Sequence, residues 1–430
     1  MKQTFLRICL IIIAALGIVQ GQPLRSLADP RGIHFGAAVT FPASPAVYDT
    51  TLAREYSGVV CENAMKFGNI MTGPTTFSYT TADAIVNFGI SNGMYVRGHT
   101  FIWHKQVPTW FASLNISRDS AFKIMKYYIT TEMAHYKGKI KEWDIVNEAV
   151  ARDSSGMRLG NGYSDATQNS KWAALTDAVN NNFDYIDSAY TYARRADSSV
   201  LLFYNDYNCE GMGKKSNLVY NLVVHLKSLN LLDGIGLQCH FHLLADTGVG
   251  GGWVPSEVVS NLKRLAALGL RISFTEVDIR IPDAHTPMTA ADSANLIEQR
   301  REYHILMDLF LAQPNCKSFF TWGVNDAQSW VPGVFSGYGS ALLFSNTTGA
   351  NGEYVPTSGY YGVQDALLAS TDVLQAHNGV LRMIPANASI RTYDLLGRRL
   401  NPFPYNPRRF VVKPGAIHDQ HHMFQINYLR

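Results

Sequence analysis

Eight short apolar runs recur between residues 33 and 326, and stretches with helical periodicity separate them. The runs are IHFGAAV (33–39), GVVCENAMK (58–66), MYVRGHTFIW (94–103), EWDIVNE (142–148), LLFYNDYN (201–208), GIGLQCHF (234–241), RISFTEVD (271–278) and SFFTWGVND (318–326). The stretches SNLVYNLVVHLKSLN and SANLIEQRREYHILMDLFLAQ carry the helical spacing. Near-continuous apolar strands alternating with helices predict a parallel sheet covered on its faces. Eight units in about 300 residues fit a closed (β/α)8 barrel better than an open doubly wound sheet. No GxGxxG follows the first run, which argues against a dinucleotide fold.

Composition agrees with a large core. The chain has 430 residues, 47% hydrophobic and 17% charged, which excludes bulk disorder. Its net charge of +3 is too small to argue for nucleic acid. Residues 382–430 hold eight Lys/Arg against Asp394 and Asp419, a net +6, so the remainder carries −3. At the start, MKQTFLRICLIIIAALGIVQGQ places Lys2 and Arg7 before an apolar run from Ile8 to Val19. That run is short for a membrane span, so residues 1–21 are expected to be a secretory signal and the mature protein to be extracellular, off the membrane. Cys61, Cys209, Cys239 and Cys316 lie in or beside apolar runs with no metal spacing. Buried thiols are expected, with one disulfide left open.

Polar residues gather at one end of these runs: Glu62, Asn63 and Lys66; His99 and His104; Asn147 and Glu148; Asn205, Asp206 and Asn208; Gln238 and His240; Glu276 and Asp278; Trp322 and Asn325. A single Asn or Asp there often caps the next helix. Seven strands ending polar on one side are better explained by the common rim of a parallel barrel, where barrel enzymes keep their chemistry.

Two of these residues form a pair with a chemical use. Glu148 closes the fourth run and Glu276 the seventh. Two carboxylates across a cleft are the equipment for glycosidic cleavage, one neutral to protonate the leaving oxygen and one ionised to attack. Asp278 follows Glu276 by two residues and His240 ends the adjacent strand. A His held between Glu276 and Asp278 would keep Glu276 charged, which suits a nucleophile. Glu148 follows Asn147 and lies near Trp143 and Val146. Desolvation with little ion pairing is expected to raise its pKa, which suits an acid/base.

The segments WDIVNEA, FTEVD, GHTFIWHKQVPTW, ENAMKF, YNDYN, DGIGLQCHF and TWGVNDAQSW, in that family's order along the chain, together resemble the glycoside hydrolase family 10 xylanases from about Gly32 to Asp365. The resemblance implies a retaining endo-β-1,4-xylanase acting on xylan and xylo-oligosaccharides without metal or cofactor. It gives Glu148 the acid/base role, Glu276 the nucleophile role, and Asn147 the 2-hydroxyl of the attacked sugar. His99, Gln238 and His240 then surround the cleavage-site sugar, with Asp278 behind His240. Glu62, Asn63 and Lys66 hold sugars on the non-reducing side, and Trp103, Trp322 and Trp330 form aromatic walls. A retaining enzyme is expected to set its carboxyl groups about 5–5.5 Å apart. The chain departs from the pattern at Phe67, where Trp is usual, at Lys105, and at Cys209 near the rim. QSWVPG also lacks the Arg often found after that Trp.

The expected organisation is thus a signal at 1–21, a catalytic barrel at 22–378, and a small, mostly β, basic appendage at 379–430 with a sorting or attachment role. The appendage weakly resembles C-terminal sorting segments of secreted polysaccharidases through IRTYDLLGRRL and VVKPG. HDQHH (418–422) is read as solvated surface, and the protein as a monomer. Sequons stand at Asn115, Asn346 and Asn387. A β-1,4-glucanase or mannanase shares the two-glutamate chemistry and stays open. A non-catalytic sugar-binding barrel should have lost one glutamate, and both are present.

Overall fold

The structure, a computed structural model, describes residues 22–40, 45–176, 183–244, 253–349, 352–373, 392–393 and 399–400. Strand β1 (His34–Val39) pairs in parallel with β2 (Gly58–Cys61). Pairing continues through β3 (Tyr95–Ile102), β4 (Glu142–Asn147), β5 (Leu201–Asp206), β6 (Gly234–Leu237), β7 (Arg271–Pro282) and β8 (Cys316–Thr321). β8 returns to β1, so the sheet closes into an eight-stranded parallel barrel. Helices α1 (Ala46–Glu55), α2 (Thr80–Ser91), α3 (Arg118–His135), α4 (Asp184–Ala196), α5 (Lys214–Ser228), α6 (Pro255–Ala267), α7 (Ala290–Leu311) and α8 (Ser358–Val373) follow the strands in turn.

Each apolar run supplies one strand, but most strands stop before their polar ends. β2 ends at Cys61, ahead of Glu62, and β4 ends at Asn147, ahead of Glu148. The backbone leaves the ladder where its side chains turn over the barrel mouth. β7 does the reverse. It runs on to Pro282, pairing with the short strands His240–His242 and Tyr338–Gly339.

Packing inside the barrel alternates rings with glycines. A Cβ on Gly36 would stand 2.2 Å from the Phe320 ring, and one on Gly98 would stand 2.1 Å from Trp143. Only a residue without a side chain lets the neighbouring strand present a ring there. Ala38, Val60, Phe320 and Trp322 form a cluster separate from the main core of strands and helices.

Below the mouth lies an ionic array. Arg97 donates from Nε to Glu142 at 2.9 Å and pairs with Asp144 through Nη2. Asp144 Oδ2 meets His99 Nδ1 at 2.8 Å, and the Tyr95 hydroxyl donates to Glu142 at 3.0 Å. Arg97, Glu142 and Asp144 are fully buried.

Cys61, Cys209, Cys239 and Cys316 are buried free thiols, so the disulfide left open does not form. Among the described residues no helix is long and apolar enough to cross a membrane. The expected signal (1–21), Asn387 and HDQHH lie outside the described residues. A separate unit covers 375–430, in which Thr392–Tyr393 pairs antiparallel with Arg399–Leu400.

Arg97→Met leaves two carboxylates buried without their cation. Denaturant unfolding is expected to show a loss of about 3–5 kcal/mol. A loss below about 1 kcal/mol would mean that the array is not what holds β3 against β4.

Candidate active site

β4 and β7 carry the two glutamates to the mouth. Glu148 stands one residue past β4 with φ +56°, and Glu276 lies within β7. Both are buried, with 8% and 4% of their surface exposed, so each meets solvent only through the mouth.

Three amides join the carboxylates. Asn205 Nδ2 donates to Glu276 Oε1 at 2.7 Å and to Asn147 Oδ1 at 2.9 Å. Gln238 Nε2 donates to Glu148 Oε1 at 3.1 Å and to Asn147 Oδ1 at 3.3 Å. Asn147 Nδ2 reaches Glu148 Oε1 at 3.2 Å. Thr275 donates to Asn205 Oδ1 at 2.6 Å and fixes that amide's orientation. The structure thereby brings Asn147, Gln238, Glu148 and Glu276 together. Asn205 is the member that the motif reading left without a role, although it stood among the polar strand ends.

The expected triad forms around Glu276. His240 Nε2 lies 3.2 Å from Glu276 Oε2, and its Nδ1 lies 2.8 Å from Asp278 Oδ2. In-register pairing of Asp278 with His240 sets this contact. Residues 276 and 278 share a face of the pleat, which lets one ring touch both. Trp330 Nε1 donates to Asp278 Oδ2 at 2.8 Å, and its ring meets His240 edge-on at 4.8 Å.

Electrostatics separate the carboxylates. Burial alone would lower His240, but Asp278 and Glu276 outweigh it and lift the ring to about 10. It is an imidazolium at neutral pH. Burial pushes Glu276 up, while the hydrogen bond and charge of His240 and the charge of His99 hold it below the usual carboxylate range. Glu148 corrects the sequence expectation. Burial pushes it up as expected, yet His104, the neighbouring Trp103 indole, the Gln238 hydrogen bond and Lys215 draw it down to about 2. Those groups come from beyond the ends of β3 and β6 and from α5, where the residues flanking Glu148 do not reveal them. The His104 contribution is conditional. Its Nδ1 is 3.9 Å from Glu148, and burial drives that ring to about 3, so at neutral pH it carries no charge. Glu148 is therefore lowered in the free site without an imidazolium against it, whereas Glu276 keeps a charged His240.

On one flank of the cleft, Lys66 Nζ donates to Asn63 Oδ1 at 3.1 Å, and Asn63 Nδ2 donates to Glu62 at 3.0 Å. The Lys66 ammonium lies 4.6 Å from the Trp103 ring centre and 5.7 Å from that of Trp322. Lys66 is buried, so it is not half of a surface ion pair with Glu62. Gln106, unmarked by the sequence reading, donates to Asn63 Oδ1 at 2.8 Å. His99 is buried against Asp144, with its ring edge-on to Trp322 at 5.3 Å. Phe67 is not a gap. Trp110, Phe111, Tyr128 and Trp172 surround it at 4.5–6.0 Å. Cys209 is buried, with Sγ 3.5 Å from the Asp206 carbonyl. Among the described residues no group of His, Cys, Asp or Glu is placed to hold a metal ion.

A closed (β/α)8 barrel with two amide-linked glutamates at the C-terminal mouth has the build of a barrel glycoside hydrolase. The chain belongs to glycosyl hydrolase family 10, whose model matches residues 23–364. Endo-1,4-beta-xylanase B of Thermotoga neapolitana is 32% identical over 353 residues, spanning 81% of this chain and 92% of that protein. An endo-1,4-beta-xylanase of Agaricus bisporus is 31% identical over 312 residues, 72% and 85% of the two chains. In three dimensions the chain is similar to xylanase 10B of Thermotoga petrophila RKU-1 in complex with xylobiose. That match has a TM-score of 0.71 at 32% identity, covering 82% of this chain and 99% of that one. Native xylanase 10B of Thermotoga maritima gives a TM-score of 0.70 at the same identity and coverage.

The His240 proton is linked to stability. Its folded pKa lies above the unfolded value, so its contribution is complete below about 6.5 and is lost as pH rises through about 10. The unfolding free energy of the wild type minus that of His240→Asn is expected to shrink from pH 6 to pH 10. A difference independent of pH would rule out the imidazolium.

Proposed function

We propose that the chain is a secreted, retaining endo-1,4-β-xylanase that cuts internal bonds of xylan by double displacement. The observation that carries this is the unequal pair at the mouth: Glu276 against a charged His240, and Glu148 in a cage of amides.

In the first step a Glu276 oxygen attacks the anomeric carbon, the bond to the leaving oxygen breaks, and Glu148 gives that oxygen its proton. A xylan chain filling the cleft strips water from both carboxylates and strengthens their repulsion, while Glu276 keeps the imidazolium of His240 against it. Glu148 takes the proton for that reason. Once the glycosyl–Glu276 ester forms, that negative charge is gone and Glu148 relaxes toward its lowered pKa. It then takes a proton from water, which attacks the same carbon and frees Glu276. Asn147 holds the 2-hydroxyl of the attacked sugar, with Gln238, His99 and His240 around it. Glu62, Asn63 and Lys66 hold neighbouring hydroxyls, and Trp103, Trp322 and Trp330 offer flat faces to pyranose rings. Bulky indoles leave little room for a hydroxymethyl group, which favours xylose over glucose. The names of the relatives and the xylobiose complex of a neighbour support xylan as substrate.

Residues 1–21 act as the signal in this reading, the barrel works as a monomer, and 379–430 attach the enzyme or direct its export. A β-1,4-glucanase remains a second reading. Exoglucanase XynX of Acetivibrio thermocellus is 33% identical over 341 residues, which cover 75% of this chain and 27% of that protein.

Parallel assays on xylan, carboxymethylcellulose and mannan are expected to show reducing-sugar release from xylan, with β-configured product first by NMR. Glu276→Ala and Glu148→Ala should each lower xylan turnover by about 100-fold or more. Near-wild-type release by Glu276→Ala, or faster release from carboxymethylcellulose, would overturn the assignment.

A further inference from the structure

Glu148 occupies the left-handed region, where a residue bearing a Cβ is disfavoured. Its surroundings hold it there from every side. Its N–H donates to the Asn205 carbonyl at 2.9 Å. Its carbonyl accepts from Arg158 Nε at 3.0 Å. The next two N–H groups, of Ala149 and Val150, donate to the Tyr204 hydroxyl at 3.0 and 3.3 Å. That hydroxyl donates to Asp206 Oδ2 at 2.5 Å, and Asp206 Oδ1 is paired with Lys215 Nζ at 2.7 Å.

Arg158 ties this turn to Gln168. Nη2 reaches the Val150 carbonyl at 3.3 Å, and Nη1 reaches the carbonyl and Oε1 of Gln168 at 3.0 and 2.8 Å. Its own N–H donates to the Ala149 carbonyl at 2.7 Å. Arg158 and Tyr204 are fully buried, and their hydrogen bonds go to the backbone around Glu148 and to Gln168 or Asp206. Glu276, on β7, receives no hydrogen bond from either.

We propose that Arg158 and Tyr204 are positioning residues for Glu148, holding the left-handed turn that aims its carboxyl at the leaving oxygen. This rests on the acid/base reading of Glu148. Its consequence is selective. Loosening the turn harms proton transfer by Glu148 and spares attack by Glu276. A residue needed only for folding would harm both.

The test uses the full chain with Arg158→Met, Arg158→Lys, Tyr204→Phe and Glu148→Ala, each checked for folding by circular dichroism. Tyr204→Phe removes one oxygen and keeps the question open should Arg158→Met not fold. Substrates are aryl β-xylobiosides of graded leaving group, from 2,4-dinitrophenol to plain phenol. With phenol, kcat/KM is expected to fall about 10- to 100-fold in the arginine and tyrosine variants. With 2,4-dinitrophenol, which needs no acid, it should stay within about threefold of wild type. Equal loss across all leaving groups, or no loss for any, overturns the proposal. If Glu148→Ala itself shows no leaving-group dependence, the acid/base reading fails as well. If it does and the other variants do not, only the clamp fails.

Discussion

Arg97 between Glu142 and Asp144 is the contact on which the site rests. A buried cation with two buried anions is a poor source of net stability, because desolvation consumes most of the attraction. Its value here is geometric. Each partner has few alternatives in a dry interior, so β3 and β4 are locked in register from Arg97–Glu142 to His99–Asp144, ahead of the shift that follows. A slip by one residue would strand all three charges. Asp144 then orients His99, and three residues further along the same strand stands Asn147, the hub of the amide chain.

That chain answers a problem set by the glutamates. An ionised carboxylate only accepts hydrogen bonds, and two of them at the end of a core need donors from somewhere. Amides supply donors without adding charge. They can serve a carboxylate through a change of protonation with little penalty, whereas a lysine would resist the neutral form. Room for the chain is made by Gly236, where a Cβ would stand 2.2 Å from Asn205 Oδ1. A glycine on one strand thus permits a hydrogen bond between two others.

Much of this was legible in the sequence, and the reasons differ by feature. The eight strands were readable because a doubly covered parallel strand must be apolar throughout. The rim was readable because parallel closure puts every C-terminal end on one side. Glu276, Asp278 and His240 were readable because a two-residue spacing and one neighbouring strand define the contact. Asn205 was harder. Its partners lie 58 and 71 positions away, and an Asn at a strand end looks like a helix cap. The direction of the Glu148 shift was not readable, since Trp103 and Gln238 arrive from separate strands. Arg158 sits in a loop without periodicity, and nothing local marks it as buried.

The two glutamates finally differ in how their surroundings respond to a lost charge. Glu276 sits against His240, which is charged because two carboxylates share it. Protonating Glu276 would remove one of those two supports and leave the imidazolium with Asp278 alone, so the environment opposes the change. Glu148 sits among neutral amides and a His104 that burial keeps uncharged. Protonating it forfeits hydrogen bonds and the attraction of Lys215, but Lys215 keeps its ion pair with Asp206. In the empty site both carboxylates are held low, so the proton on Glu148 has to come with substrate, and no imidazolium lies against it to oppose that change. The asymmetry that the proposed double displacement requires resides in the contacting neighbours, an imidazolium for Glu276 and amides for Glu148, more than in the pKa of either glutamate in the free protein.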